Sequence, residues 1–202
     1  MLKCPFCVTC HVYMLVCDSD FVAKNTTTTL TILTRPVVVN SVFGWIIYFQ
    51  RVDLIFNWQL NISTFKAGFG SPDSNFFLGL DNLYNLLTSA SYRARVEIQE
   101  LGTGRWLSAE YARYTMDPAL NSGNLYWYLP RAYGYSGDAG DEIPKGIYFV
   151  TYDHNTGTAP PGGCGWWYNG VTCIGCLAGS APNYNRYNGI SVAIGRLMIK
   201  QN

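Results

Sequence analysis

Residues 68–98 carry the clearest pattern of hydrophobic and polar positions in the chain, and its period changes once. Gly68 and Gly70 bracket an aromatic residue, and Ser71, Pro72 and Asp73 follow, which predicts a turn. Leu80, Leu83, Tyr84 and Leu87 then fall at i, i+3, i+4 and i+7. That spacing is one apolar stripe of a helix, so residues 80–87 are predicted helical. From Tyr92 the period becomes two. Tyr92, Ala94, Val96 and Ile98 alternate with Arg93, Arg95, Glu97 and Gln99, which predicts a half-buried strand. Residues 147–152 read as a second strand. Nothing in the 68–98 block is chemically reactive, so it reads as scaffold.

Composition narrows the class. The 202 residues fit within one domain. Hydrophobic residues make up 49% and aromatics 15%, enough for a sizeable core. Charged residues are only 13%, about half the usual ~25%. With a net charge of +1 and no basic patch, nothing points to nucleic acid. The longest apolar region, 37–49, is broken by Asn40 and Ser41 and falls short of the ~20 residues that span a membrane.

The first 40 residues differ from the rest. They hold Cys4, Cys7, Cys10 and Cys17 and the Thr-rich run NTTTTLTILT, which has strand propensity. The chain is therefore divided into a divergent Cys/Thr-rich segment, 1–40, and a domain, 41–202. Lys3 and the apolar run 12–16 make no clear secretion signal, because Cys4, Thr9 and His11 interrupt it and no small-residue cleavage site follows. The sequons at Asn25 and Asn61 are compatible with secretion.

Seven cysteines is an odd number. Cys164, Cys173 and Cys176 form a second cluster. The spacings Cys4-x-x-Cys7-x-x-Cys10-His11 and Cys173-x-x-Cys176 also resemble zinc sites. A disulfide is the competing reading in an extracellular chain. Catalysis finds little support. His11 and His154 are the two histidines, and no nucleophile elbow, P-loop or H-E-x-x-H occurs. His154 follows Asp153 directly, and adjacent residues of an extended segment point to opposite sides. Asp138 and Asp141 could suggest paired carboxylates, but both lie in the Gly-rich string YSGDAGD.

These strings resemble, in order, those of the fibrinogen C-terminal (fibrinogen-related) domain family of ficolins, tachylectins and angiopoietins. GFGSPDSNFFLGLDNLYNLLTSASYRARVEI is similar to the family's central block. GWIIYFQRVD at 44–53, Glu110-Tyr111, YSGDAGD, GIYFVTYDHN, GWWY and YNGI followed by Met198-Ile199-Lys200 match further family strings. The resemblance covers residues 44–200 and implies an α+β fold, a twisted antiparallel sheet with short helices and long loops. It also implies that 92–98 and 147–152 share one sheet.

The same resemblance implies a site in residues 150–190. The family's calcium loop has two acidic residues one apart; here Asp153 would give a carboxylate and Asn155 a carbonyl oxygen. Calcium takes six to eight oxygen ligands, so this amide should weaken binding. The same run also reads as a plain Asx turn. The family staples this region by one disulfide, which implies pairing of Cys164 with Cys173 or Cys176. In lectin-like members an aromatic pocket holds the acetyl group of N-acetylated glycans. Trp167, Tyr168, Tyr184 and Tyr187 are the candidates here, with core packing the bland reading, favoured for Trp166 and Trp167. The family's histidine after its second cysteine is missing, and so is its Trp after Gly-Ile. The resemblance thus implies a secreted extracellular recognition domain, lectin-like in innate defence, with no enzymatic activity. The alternative is a protein-binding receptor ligand or adhesion module, or a degenerate copy. No collagen-like or coiled-coil stretch precedes the domain, so the expectation is that oligomerisation is not encoded in this chain.

Overall fold

The polar and apolar alternation at 92–98 grows into a nine-residue strand in the computed structural model of the chain, which describes residues 26–32, 35–117, 129–154, 164–169, 172–173, 175–179 and 186–202. In chain order the elements begin with β1 (Thr26–Ile32), β2 (Arg35–Val42), β3 (Trp45–Arg51) and helix α1 (Ile62–Ala67). Next come β4 (Phe69–Gly70), β5 (Phe76–Phe77), helix α2 (Leu80–Ser89), β6 (Tyr92–Glu100), β7 (Trp106–Asp117) and β8 (Leu129–Gly137). The last are β9 (Tyr148–Val150), β10 (Trp166–Asn169), β11 (Thr172–Cys173), β12 (Arg186–Tyr187) and β13 (Ile190–Gln201).

The predicted turn closes with Ser74 N–H donating to Ser71 O at 2.9 Å. The predicted helix is α2, which buries Leu80, Leu83, Leu86 and Leu87; Tyr84 is only half-buried. Glycines fix where α2 starts. Gly79 sits at φ 99°, and a Cβ there would lie 2.7 Å from Gly68 N and Lys66 O. A Cβ on Gly68 would in turn lie 2.5 Å from Leu78 O. Two backbone segments cross here with no room for a side chain, and φ > 0 suits glycine at both places.

Among the described residues, ten strands form one antiparallel sheet in the order β1-β2-β3-β13-β6-β7-β8, with β12, β4 and β5 attached to it. A second sheet has the order β11-β10-β9. The expectation that 92–98 and 147–152 share a sheet is therefore corrected: β6 lies in the large sheet and β9 in the small one. The physical reason is which strand pairs with β9. β9 has three residues, and β10 takes up its pairing, Trp166 with Val150 and Tyr168 with Tyr148. The sheets meet instead through rings. Phe149 lies 5.0 Å from Phe65 and stacks at 6.4 Å on Phe77, while Trp166 lies 5.0 Å from Phe49. Edge-on and offset rings at these separations suit aromatic packing.

The boundary expected at residue 40 falls inside β2, so it too is corrected. The Thr-rich run is β1, paired to β2 over seven residues, and β2 joins the sheet through Ser41–Ile46 and Val42–Trp45. Ile32 and Val39 belong to the same core as the aromatic cluster. Residues 26–40 are therefore part of the domain.

Candidate functional site

Thr151 and His154 close a tight turn, each N–H donating to the other's carbonyl, at 3.0 and 3.1 Å. Asp153 lies inside it. Its Oδ1 accepts from Thr151 Oγ1 at 2.7 Å and from Ile62 N at 3.0 Å. Ile62 is the first residue of α1, and Asn61 caps the same end, its Oδ1 accepting from Thr64 N at 2.9 Å. A carboxylate at the positive end of a helix satisfies an otherwise unpaired N–H. Asp153 thus ties the turn to α1 across 91 residues of sequence. His154 is half-buried, and desolvation lowers its pKa; Asp153 opposes this and Lys66 adds to it.

Asn155, the second expected calcium ligand, lies outside the described residues. Those described do not make a calcium cage on their own. Asp153 brings one carboxylate already bonded to two donors, and among the described residues no three His, Cys, Asp or Glu side chains are grouped to hold a metal. Calcium affinity follows the number of charged oxygens, and Asp153 supplies one carboxylate here.

The expected sugar-pocket rings sit elsewhere than that reading needs. Trp167 and Tyr187 are 0% exposed and Tyr168 is 5% exposed. Trp166 and Trp167 are both buried, and their rings meet edge to face with centroids 5.3 Å apart inside the aromatic cluster. Tyr187 OH lies 3.3 Å from Tyr111 OH, which also accepts from Ile143 N at 3.2 Å. Burial pushes the pKa of both phenols up, so they stay neutral. Tyr168 OH donates to Cys164 O at 3.3 Å. These three rings are core and offer no face to a solvent-borne sugar; Tyr184 lies outside the described residues.

The cysteine pairing also needs correction. Cys164 is a buried thiol in the core cluster, and Cys176 is disulfide-bonded. The staple therefore does not start at Cys164, which packs as a small hydrophobe just before β10. The backbone of Cys173 pairs with Tyr168 in β11; its side chain lies outside the described residues. Asp138 and Asp141, weighed as a carboxylate pair, hold separate partners. Asp138 accepts from Ser108 N at 2.8 Å, and Asp141 pairs with Lys145 at 2.6 Å.

Two features escaped the sequence. Alternation placed Glu97 on a solvated face, but it is buried. Its carboxylate takes Arg196 Nε and Arg95 Nε, both at 2.6 Å, and Arg95 also pairs with Glu110. Glu97 on β6 and Arg196 on β13 stand 99 residues apart in sequence, so their pairing leaves no periodic signal. The second feature is a surface. Tyr133 and Tyr135 on β8 are 52% and 39% exposed. Their register partners on β7 are Arg113, which is exposed, and Tyr111, which is fully buried with its ring 5.8 Å from that of Tyr135. Tyr135 is held rigid, its OH donating to Gly137 O at 2.9 Å and accepting from Gly140 N at 3.2 Å.

A long antiparallel sheet joined by aromatic packing to a small second sheet, with two short helices, defines a fibrinogen-like globe. The fibrinogen-like globe domain of human ANGPTL2 matches it with a TM-score of 0.71 at 26% identity, covering 91% of this chain and 95% of that one. The chain belongs to the family described as fibrinogen beta and gamma chains, C-terminal globular domain, whose family model matches residues 36–193. Mouse angiopoietin-related protein 2 is 35% identical over 136 residues, 62% of this chain and 26% of that protein. Mouse tenascin is 34% identical over 118 residues, 57% of this chain and 5% of that protein. The chain thus spans about a quarter of the length of the angiopoietin-related proteins it matches. No described helix is long and apolar enough to cross a membrane.

Proposed function

We propose that this chain is an extracellular recognition domain that binds a protein partner, catalyses no reaction and does not depend on acetylated sugar. The observation that carries this reading is the burial of Trp167, Tyr168 and Tyr187, which leaves them no binding face. The relatives, angiopoietin-related proteins and tenascin, favour the receptor-ligand or adhesion alternative over a lectin. The docking surface in this reading is the β7–β8 face, where Tyr133 and Tyr135 stand beside Arg113. Tyr and Arg dominate the energetics of protein interfaces, and a pre-held ring such as Tyr135 loses little entropy on docking. Calcium is at most a weak ligand, because Asp153 acts first as a cap for α1.

The test is binding of the labelled chain to animal cells. Saturable binding should survive N-acetylglucosamine and chelator, and Tyr133→Ala should weaken it about tenfold or more without changing the unfolding midpoint. Competition by N-acetylglucosamine would favour the lectin reading. Full binding by the Tyr133→Ala variant would move the surface elsewhere.

A further inference from the structure

β1 is the first strand of the large sheet, and among the described residues nothing pairs with its outer edge. An unpaired edge presents a row of N–H and C=O groups to any other strand, and natural edges are blunted by charge, proline or a bulge. β1 has none of these. Its seven residues, TTTTLTI, contain no charge and no proline. Arg35 and Pro36 lie on β2, the inner neighbour, where they cannot guard the edge. The pairing of β1 with β2 runs through seven residues without a register shift, whereas β13 and the β6–β7 pair both carry shifts. The edge is therefore regular as well as uncharged.

We propose that β1 is the pairing edge of a symmetric dimer, in which the strands of two copies of this chain run antiparallel about Thr29. The partner is a second copy because the strand complements itself about that residue. Thr27, Thr29 and Thr31 are exposed on one face, while Leu30 and Ile32 turn towards the core. With Thr29 on the two-fold axis, Thr27 stands opposite the partner's Thr31, and Thr29 opposite the partner's Thr29. Cross-strand Thr pairs favour antiparallel association through their hydroxyls. On the other face Thr28 meets the partner's Leu30, and Thr26 the partner's Ile32. Val38, the register partner of Thr29, is 50% exposed on the same outer face. Pairing would thus align Val38, Thr29, the partner's Thr29 and the partner's Val38 in one row across the joined sheets. An interface this narrow stands at the weak end of specific association.

Sedimentation velocity of the full chain, taken into the tens-of-micromolar range and above, tests this. The expected result is a reversible monomer–dimer equilibrium. Thr29→Lys alone and Thr29→Glu alone place like charges opposite each other on the axis and should each weaken dimerisation about tenfold or more. An equal mixture of the two should restore it, because the charges then oppose. Thr29 is exposed, so circular dichroism should show both variants folded. A parent chain that stays monomeric, a Thr29→Lys chain that dimerises like the parent, or a mixture that fails to re-pair would each overturn the proposal.

Discussion

Tyr187 decides between core and pocket most sharply at the scale of single residues. It is fully buried and shares its hydroxyl with Tyr111. Tyr187→Phe should cost about 1 kcal/mol, the worth of one hydrogen bond, and Tyr187→Ala about 3–5 kcal/mol, as for other buried rings. Urea unfolding checks both; an Ala variant as stable as the parent would contradict the core placement. His154 gives a pH dependence. Its folded pKa lies below the ordinary 6.5, so the folded chain prefers the neutral imidazole. The unfolded chain then binds more protons as pH falls through that value, and stability drops from neutral pH towards the folded pKa before levelling off. His154→Gln should flatten that limb, and an unchanged profile would show that another group sets it. What the sequence conveyed about single residues was their type and spacing. It showed the rings at 166–168 and 187, but strand spacing does not say whether both faces of a strand are covered. Asp153 was legible as an acid in a turn, while its use depends on Ile62, which no local pattern connects to it.

Elements were more legible than sites because their signals are local. The stripe of α2 and the alternation of β6 each lie within about ten residues, so both emerged from periodicity. The sheet to which β9 belongs depends on Trp166 and Phe65, both distant in sequence, and the one-sheet expectation failed there. The Thr-rich run was legible as a strand former, yet its place in the sheet came only with β2 beside it. The turn from β2 to β3 carries a local mismatch. Phe43 has φ 51° and Gly44 φ 79°, both left-handed, as a tight hairpin turn requires. Gly44 suits this and Phe43 does not. Phe43→Asn should therefore stabilise the chain by about 1 kcal/mol, because asparagine tolerates the left-handed conformation. Thermal unfolding checks this, and a loss of stability would mean that the Phe43 ring matters more than its backbone strain.

Across the whole molecule, family membership was legible because its strings recur in order over most of the chain, and those strings are scaffold. Gly68 and Gly79 permit a backbone crossing, and the YSGDAGD loop is held by Asp138 on β7. Function was less legible for the same reason. Scaffold residues persist whatever the surface binds, and the strings nearest the expected site are where this chain departs from the resemblance. The separate sheets of β6 and β9 do not weaken the assignment, since the family match and the ANGPTL2 superposition hold with them apart. The central claim is that the rings a sugar pocket would use are instead the core of a protein-binding globe. Titration calorimetry of the intact chain with N-acetylglucosamine, run with and without calcium, tests it most directly. The account predicts no saturable heat in either condition; saturable binding of the sugar, with calcium or without, would contradict it.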